Sequence, residues 1–243
     1  MPRPILEQPE ERLIIALDMP ERGKALGLAN ALAPRISTFK VGPVLFLGAG
    51  PGVIRELNDL GAGVFLDLKF HDIPSTVEKS IEHVVRYGVK MFTVHSLGGL
   101  DMMRAVVERV NGLTLDAPER RPLVLAVTVL TSHDDDALSS LGIRASTGDE
   151  VLRLAGIAEK AGVDGLVASG LEAEVLRREF GDRFTLVVPG IRPGGKAHDQ
   201  KRVATPAEAV DKGADYLVIG RVVTEAPEPE KAVDGIIAEL TSL

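Results

Sequence analysis

Hydrophobic residues in this chain fall into short runs separated by longer stretches in which apolar and polar positions mix. The runs are Leu13–Leu17, Ile36–Val41, Val64–Phe70, Met91–Val94, Leu123–Thr128, Gly165–Val167, Phe184–Val188 and Tyr216–Ile219. Runs of this length, rich in Val, Ile and Leu, predict strands covered on both faces by a parallel sheet's helices. Four of them follow a shared junction: Leu60-Gly61-Ala62-Gly63, Tyr87-Gly88-Val89-Lys90, Ala161-Gly162-Val163-Asp164 and Lys212-Gly213-Ala214-Asp215. Each reads as a helix closed by a left-handed Gly and feeding a strand. Gly61, Gly88, Gly162 and Gly213 lie 27, 74 and 51 residues apart, close to one, three and two units of about 25 residues, the length of a βα repeat. Helix starts are predicted by capping boxes at Ser75 to Glu78, Thr147 to Glu150 and Thr205 to Glu208, the last with Pro206 in the first helical position. Eight strand-helix alternations predict a single-domain (β/α)8 TIM barrel over residues 12–243, with a doubly wound open sheet as the alternative. Residues 1–11 are polar and Pro-rich and read as a loosely held leader.

Composition narrows the chemistry. The chain has 243 residues, 45% hydrophobic and 26% charged, which suits one folded domain rather than a disordered polymer. Lys plus Arg is 28 against 35 for Asp plus Glu, a net charge of -7, so neither nucleic acid nor an anionic membrane is an expected partner. Any bound anion must be held locally. The absence of Cys excludes disulfides, thiolate metal sites and a cysteine nucleophile, and fits a reducing cytoplasm. No stretch approaches 18 uninterrupted apolar residues, and the five His show no metal-ligand spacing.

In a (β/α)8 barrel the active site stands at the C-terminal strand ends, and here those ends are polar. Alternation along Val64–Phe70 puts Phe65, Asp67 and Lys69 on one face, with Asp72 just beyond. The same period groups Ile14 and Ala16 with Asp18, and Ile36 and Thr38 with Lys40, so that Lys40, Asp67 and Lys69 can converge. A structural ion-pair chain is the plain alternative, but unpaired buried charges cost several kcal/mol each, and four on adjacent strands exceed what stability needs. His71 reads as a loop or packing residue. Strand four ends at His95 and Ser96, and strand five leads to Thr131 and Ser132. Pro189-Gly190-Ile191-Arg192-Pro193-Gly194-Gly195 and Gly220-Arg221 follow the last two strands, where barrels often hold phosphate. Gly190 to Lys196 superficially matches a Walker A loop, but Ala197 replaces its metal-binding hydroxyl and Pro193 interrupts it. Either Ser75 or Thr76 is expected to cap the helix after Pro74. No Ser/His/Asp order, His/Glu metal cluster or GxGxxG fingerprint is present, so the chemistry must come from Asp, Lys and Arg.

The motif Asp67-Leu68-Lys69-Phe70-His71-Asp72-Ile73-Pro74, together with Pro189 to Pro193, Asp199 to Arg202 and Ile219-Gly220-Arg221, resembles the bacterial branch of the orotidine 5'-phosphate decarboxylase family. The resemblance runs from Ile14–Asp18 to Arg221. It implies a phosphate-binding barrel and a homodimer that converts orotidine 5'-phosphate to uridine 5'-phosphate and carbon dioxide in pyrimidine synthesis, with no cofactor and no metal. By the same resemblance Lys69 protonates C6, Asp67 crowds the substrate carboxylate, Lys40 pairs with Asp67 and the ribose hydroxyls, and Asp18 binds the ribose. Asp72 and Thr76 come from the other subunit, Arg192, Gln200, Gly220 and Arg221 hold the phosphate, and Thr131 contacts the pyrimidine. Two alternatives stay open: a metal-dependent relative such as a 3-keto-gulonate 6-phosphate decarboxylase or hexulose-phosphate synthase, and a non-catalytic nucleotide-binding barrel.

Overall fold

The structure, a computed structural model, describes residues 3–192 and 204–242. Eight parallel strands close into a barrel in sequence order: β1 Leu13–Ala16, β2 Thr38–Val41, β3 Gly63–Phe70, β4 Met91–His95, β5 Leu123–Val127, β6 Gly165–Val167, β7 Thr185–Val188 and β8 Tyr216–Ile219. Residues of β1 pair with both β2 and β8, which closes the ring and leaves no open edge. The (β/α)8 expectation holds, and the open-sheet alternative does not.

Alternation along the strands builds two cores. Ile14, Ala16, Phe65, Met91, Leu125, Val127, Val167, Val187, Tyr216 and Val218 fill the barrel interior, while residues such as Ile15, Val64, Leu66, Phe92, Val124 and Leu217 point outward against the helices. Ile36 departs from the expected pattern. The strand begins only at Thr38, so Ile36 sits in the preceding turn and packs into the outer layer, not beside Lys40. All four junction glycines take φ between 69° and 96°, the left-handed region a side chain enters at a cost.

Two of the junctions carry a device that the pattern did not announce. Asp164 accepts the Val124 N–H at 2.8 Å and the Arg121 guanidinium at 2.8 Å. Asp215 accepts the Leu186 N–H at 2.7 Å and pairs with Arg177 at 2.6 Å and Arg3 at 2.5 Å. Each carboxylate thus closes the N-terminal end of a neighbouring strand at the barrel floor, where a bare N–H would be costly. Leu6 packs against the interior core from the same side.

Helix starts obey caps only in part. The Thr205–Glu208 box forms as expected. The box expected at Thr147 shifts by one residue: Ser146 is the cap and accepts from Asp149 N, and Glu150 turns inward to Arg153. Ser75 and Thr76 cap nothing. Pro74 takes the first helical position of Pro74–Arg86, so the cap slot falls on Ile73, which has no side-chain acceptor, and Ser75 and Thr76 lie inside the first turn. Among the described residues no helix is long and apolar enough to cross a membrane.

Candidate active site

A cavity of about 730 Å³ opens at the C-terminal mouth of the barrel, within the range of small-molecule sites. Asp18 reaches it just past β1, Lys40 from β2, and Asp67 and Lys69 from β3. Thr131 borders it after β5, Arg192 after β7, and Gly220 and Arg221 after β8. Val127, Val129, Leu130 and Val167 supply an apolar wall between these groups.

The charged arc is a chain of alternating sign. Lys40 Nζ donates to Asp18 Oδ1 at 2.7 Å and lies 3.7 Å from Asp67 Oδ2, while Lys69 Nζ donates to both Asp67 oxygens at 2.9 Å. The Lys40 side chain is 9% exposed and that of Asp67 13%. Ammonium and carboxylate at this depth are tolerable only because each has an opposite partner. Room for the first pair comes from Gly42, where a Cβ would stand 2.9 Å from Asp18 Oδ1 and 3.2 Å from Lys40 Nζ.

The backbone of β3 is not regular here. Leu66 pairs with Phe92 and Phe70 with Val94, so Asp67, Leu68 and Lys69 face the single residue Thr93. Lys69 adopts φ 50°, the one non-glycine positive φ among the described residues. A bulge of this kind re-aims side chains at barrel rims and active sites. Period two predicted Asp67 and Lys69 on one face. They do share the cavity, but through the bulge and the left-handed turn at Lys69 rather than by continued alternation.

Thr93 is the residue the sequence reading missed. Fully buried, it accepts the Lys69 N–H at 2.9 Å and donates to Asp67 Oδ1 at 3.0 Å. Its signal was present, since alternation in Met91-Phe92-Thr93-Val94-His95 turns a hydroxyl into the barrel. Beyond Thr93 the ring of His95 stacks on His71, with centroids 5.5 Å apart. Burial first, and then the nearby His71, Lys69 and His133, push the His95 pKa down to about 4. The ring is therefore neutral at pH 7, and its Nδ1 accepts the Leu97 N–H at 3.3 Å.

Asp72 and Thr76 do not join this cavity. Both are exposed, Asp72 in the loop after β3 and Thr76 in the helix that follows, and Asp72 Oδ1 accepts the adjacent Ile73 N–H at 2.7 Å. Gln200 and the Pro193–Gly195 segment lie outside the described residues. No group of three or more metal-binding side chains occurs among the described residues.

Known proteins resemble this chain over nearly its whole length. The model of the orotidine 5'-phosphate decarboxylase / HUMPS family matches residues 11–236. The orotidine 5'-phosphate decarboxylase of Nitrosococcus oceani is 48% identical over 96% of this chain and 99% of its own, and that of Pseudomonas paraeruginosa is 47% identical over 94% and 97%. Among solved structures, the orotidine 5'-phosphate decarboxylase of Lactobacillus acidophilus superposes with a TM-score of 0.81 at 36% identity, covering 95% of this chain and 99% of that one. With a family model matched over residues 11–236, a relative 48% identical over nearly its full length and a matching barrel, the chain belongs to the orotidine 5'-phosphate decarboxylase / HUMPS family.

Proposed function

We propose that this chain decarboxylates orotidine 5'-phosphate to uridine 5'-phosphate without a metal, with Lys69 protonating C6. The observation that carries the reading is the alternating chain Asp18, Lys40, Asp67, Lys69 at one side of a cavity that Arg192 and Arg221 enter from another. The two guanidiniums suit a phosphate dianion, and the apolar wall suits a pyrimidine face. With the phosphate anchored there, the substrate carboxylate is driven toward Asp67, whose like charge opposes it in the ground state; that opposition eases as the charge moves onto C6 facing Lys69 and ends when C6 is protonated.

The step balances within the site. The bond from C6 to the carboxylate carbon breaks, its electron pair stays on C6, and carbon dioxide leaves neutral. Lys69 then gives an Nζ proton to C6 and recovers one from water. Before that, its positive charge faces the developing carbanion, and Asp67 keeps the ammonium oriented. Asp18 and Lys40 are assigned to the ribose hydroxyls, Thr131 to the pyrimidine, and Gly220 with Gln200 to the phosphate end.

Metal use by a relative of the same family is the second reading, and the donor set fits it poorly. Asp18 and Asp67 both already hold ammonium groups, and Lys40 stands between them, so a divalent cation would meet two cations in place. A further part of the proposal is a homodimer in which Asp72 and Thr76 complete the partner's cavity, since neither reaches its own.

The test is carbon dioxide release from orotidine 5'-phosphate by purified, chelator-treated protein. Full activity is expected, with Lys69→Ala lowering kcat on the order of 10³-fold or more while uridine 5'-phosphate still binds. Activity lost to the chelator and restored by magnesium would overturn the metal-free reading. A Lys69→Ala protein turning over near the wild-type rate would overturn the proton-donor role.

A further inference from the structure

We infer that Thr93 is a positioning residue for the decarboxylation, holding the Asp67 carboxylate and the left-handed Lys69 backbone in one geometry through a single hydroxyl; the inference rests on the function proposed above. Between the pairs Leu66 with Phe92 and Phe70 with Val94, β3 carries three residues against one on β4. The ladder cannot serve all their backbone groups, and the Lys69 N–H turns to a side chain: it donates to Thr93 Oγ1 at 2.9 Å. The same hydroxyl spends its one proton on Asp67 Oδ1 at 3.0 Å. The hydroxyl both accepts and donates, and Thr93 is wholly buried, so no water replaces either bond.

The arrangement links two things that must agree. Lys69 holds φ 50°, a conformation that costs a side-chain-bearing residue of order 1 kcal/mol or more and persists only when neighbours over-determine it. Asp67 must keep its carboxylate fixed, because both oxygens bond to Lys69 Nζ and Oδ2 also faces Lys40. Thr93 touches the backbone of one residue and the carboxylate of the other, and it does not line the cavity itself. Removing the hydroxyl while keeping the shape therefore loosens the orientation of Lys69 and Asp67, not the grip on the phosphate or ribose.

Thr93→Val, Thr93→Ala and Thr93→Ser separate this from a purely structural role. In Thr93→Val and Thr93→Ala, kcat on the folded protein is expected to fall roughly 10- to 100-fold, the size of a small misplacement of catalytic groups, with KM and uridine 5'-phosphate affinity within about 3-fold of wild type. Thr93→Ser keeps the hydroxyl and is expected to keep kcat within about 3-fold. Either apolar variant with wild-type kcat, or Thr93→Ser as slow as Thr93→Val, overturns the inference. If both apolar variants fail to fold while Thr93→Ser folds, the hydroxyl serves stability alone and the inference is again overturned. A wild-type protein that releases no carbon dioxide from orotidine 5'-phosphate would instead sink the proposed function, before any variant is compared.

Discussion

At the scale of single residues, the site depends on space as much as on charge. Gly42 is the clearest case, because a Cβ there would press Asp18 Oδ1 at 2.9 Å and Lys40 Nζ at 3.2 Å. Lys40 is held in the wall with its side chain 9% exposed, whereas Asp18 is 51% exposed and free to swing outward. Gly42→Ala is therefore expected to move Asp18 rather than unfold the barrel. If Asp18 binds the ribose as proposed, losing that charged hydrogen bond predicts a fall in kcat/KM of roughly 10-fold or more, with the melting temperature almost unchanged. Steady-state kinetics and thermal unfolding of the same sample check both halves, and an unaltered kcat/KM would remove Gly42 and Asp18 from the account.

At the scale of elements, the strands differ in how much of their role is local. The three-residue β6 begins at Gly165, where a Cβ would lie 2.4 Å from the Thr185 carbonyl oxygen and 2.7 Å from Leu125 Cδ2. A backbone carbonyl cannot step aside as Asp18 can. Gly165→Ala should destabilise the barrel by about 1–3 kcal/mol, lowering the melting temperature by about 2–4 °C for each kcal/mol in a domain of this size. Denaturant unfolding measures it, and an Ala variant as stable as wild type would show that the barrel interior can relax there. β3 shows the opposite dependence, since its bulge exists only in relation to β4. Read alone, Val64–Phe70 is an ordinary alternating strand.

At the scale of the whole molecule, closure of the sheet decides which residues meet. The barrel brings β7 and β8 round to β1, so Arg192 and Arg221 enter the cavity that Lys40, Asp67 and Lys69 line from β2 and β3. Asp72 and Thr76 are left on the outside. If a second copy supplies them, mixing inactive Lys69→Ala and Asp72→Ala chains should regain activity, because one of the two mixed sites then carries neither substitution. Up to about one quarter of wild-type turnover per chain is expected from random pairing in a twofold dimer. No recovery after subunit exchange has been demonstrated by labelled chains would count against a shared site.

Features that depend on neighbours in sequence were legible without a structure. A left-handed Gly closing a helix, a buried run of β-branched residues and the Thr205–Glu208 box are all set by contacts within a few residues, and the eightfold alternation follows from them. The polar strand ends were legible for the same reason, with Lys40, Asp67 and Lys69 as one cluster and Arg192 with Arg221 as a second, and the closed barrel is what brings both to one cavity. What the tertiary structure decided is where one strand constrains another. The bulge that turns Lys69 to φ 50°, the hydroxyl of Thr93 standing in for a ladder partner, and the carboxylates of Asp164 and Asp215 closing adjacent strands are bonds between residues 24 to 40 positions apart. No periodicity within a single run encodes such a bond. Sequence determined which groups stand at the mouth of the barrel, and packing between strands determined how they are aimed.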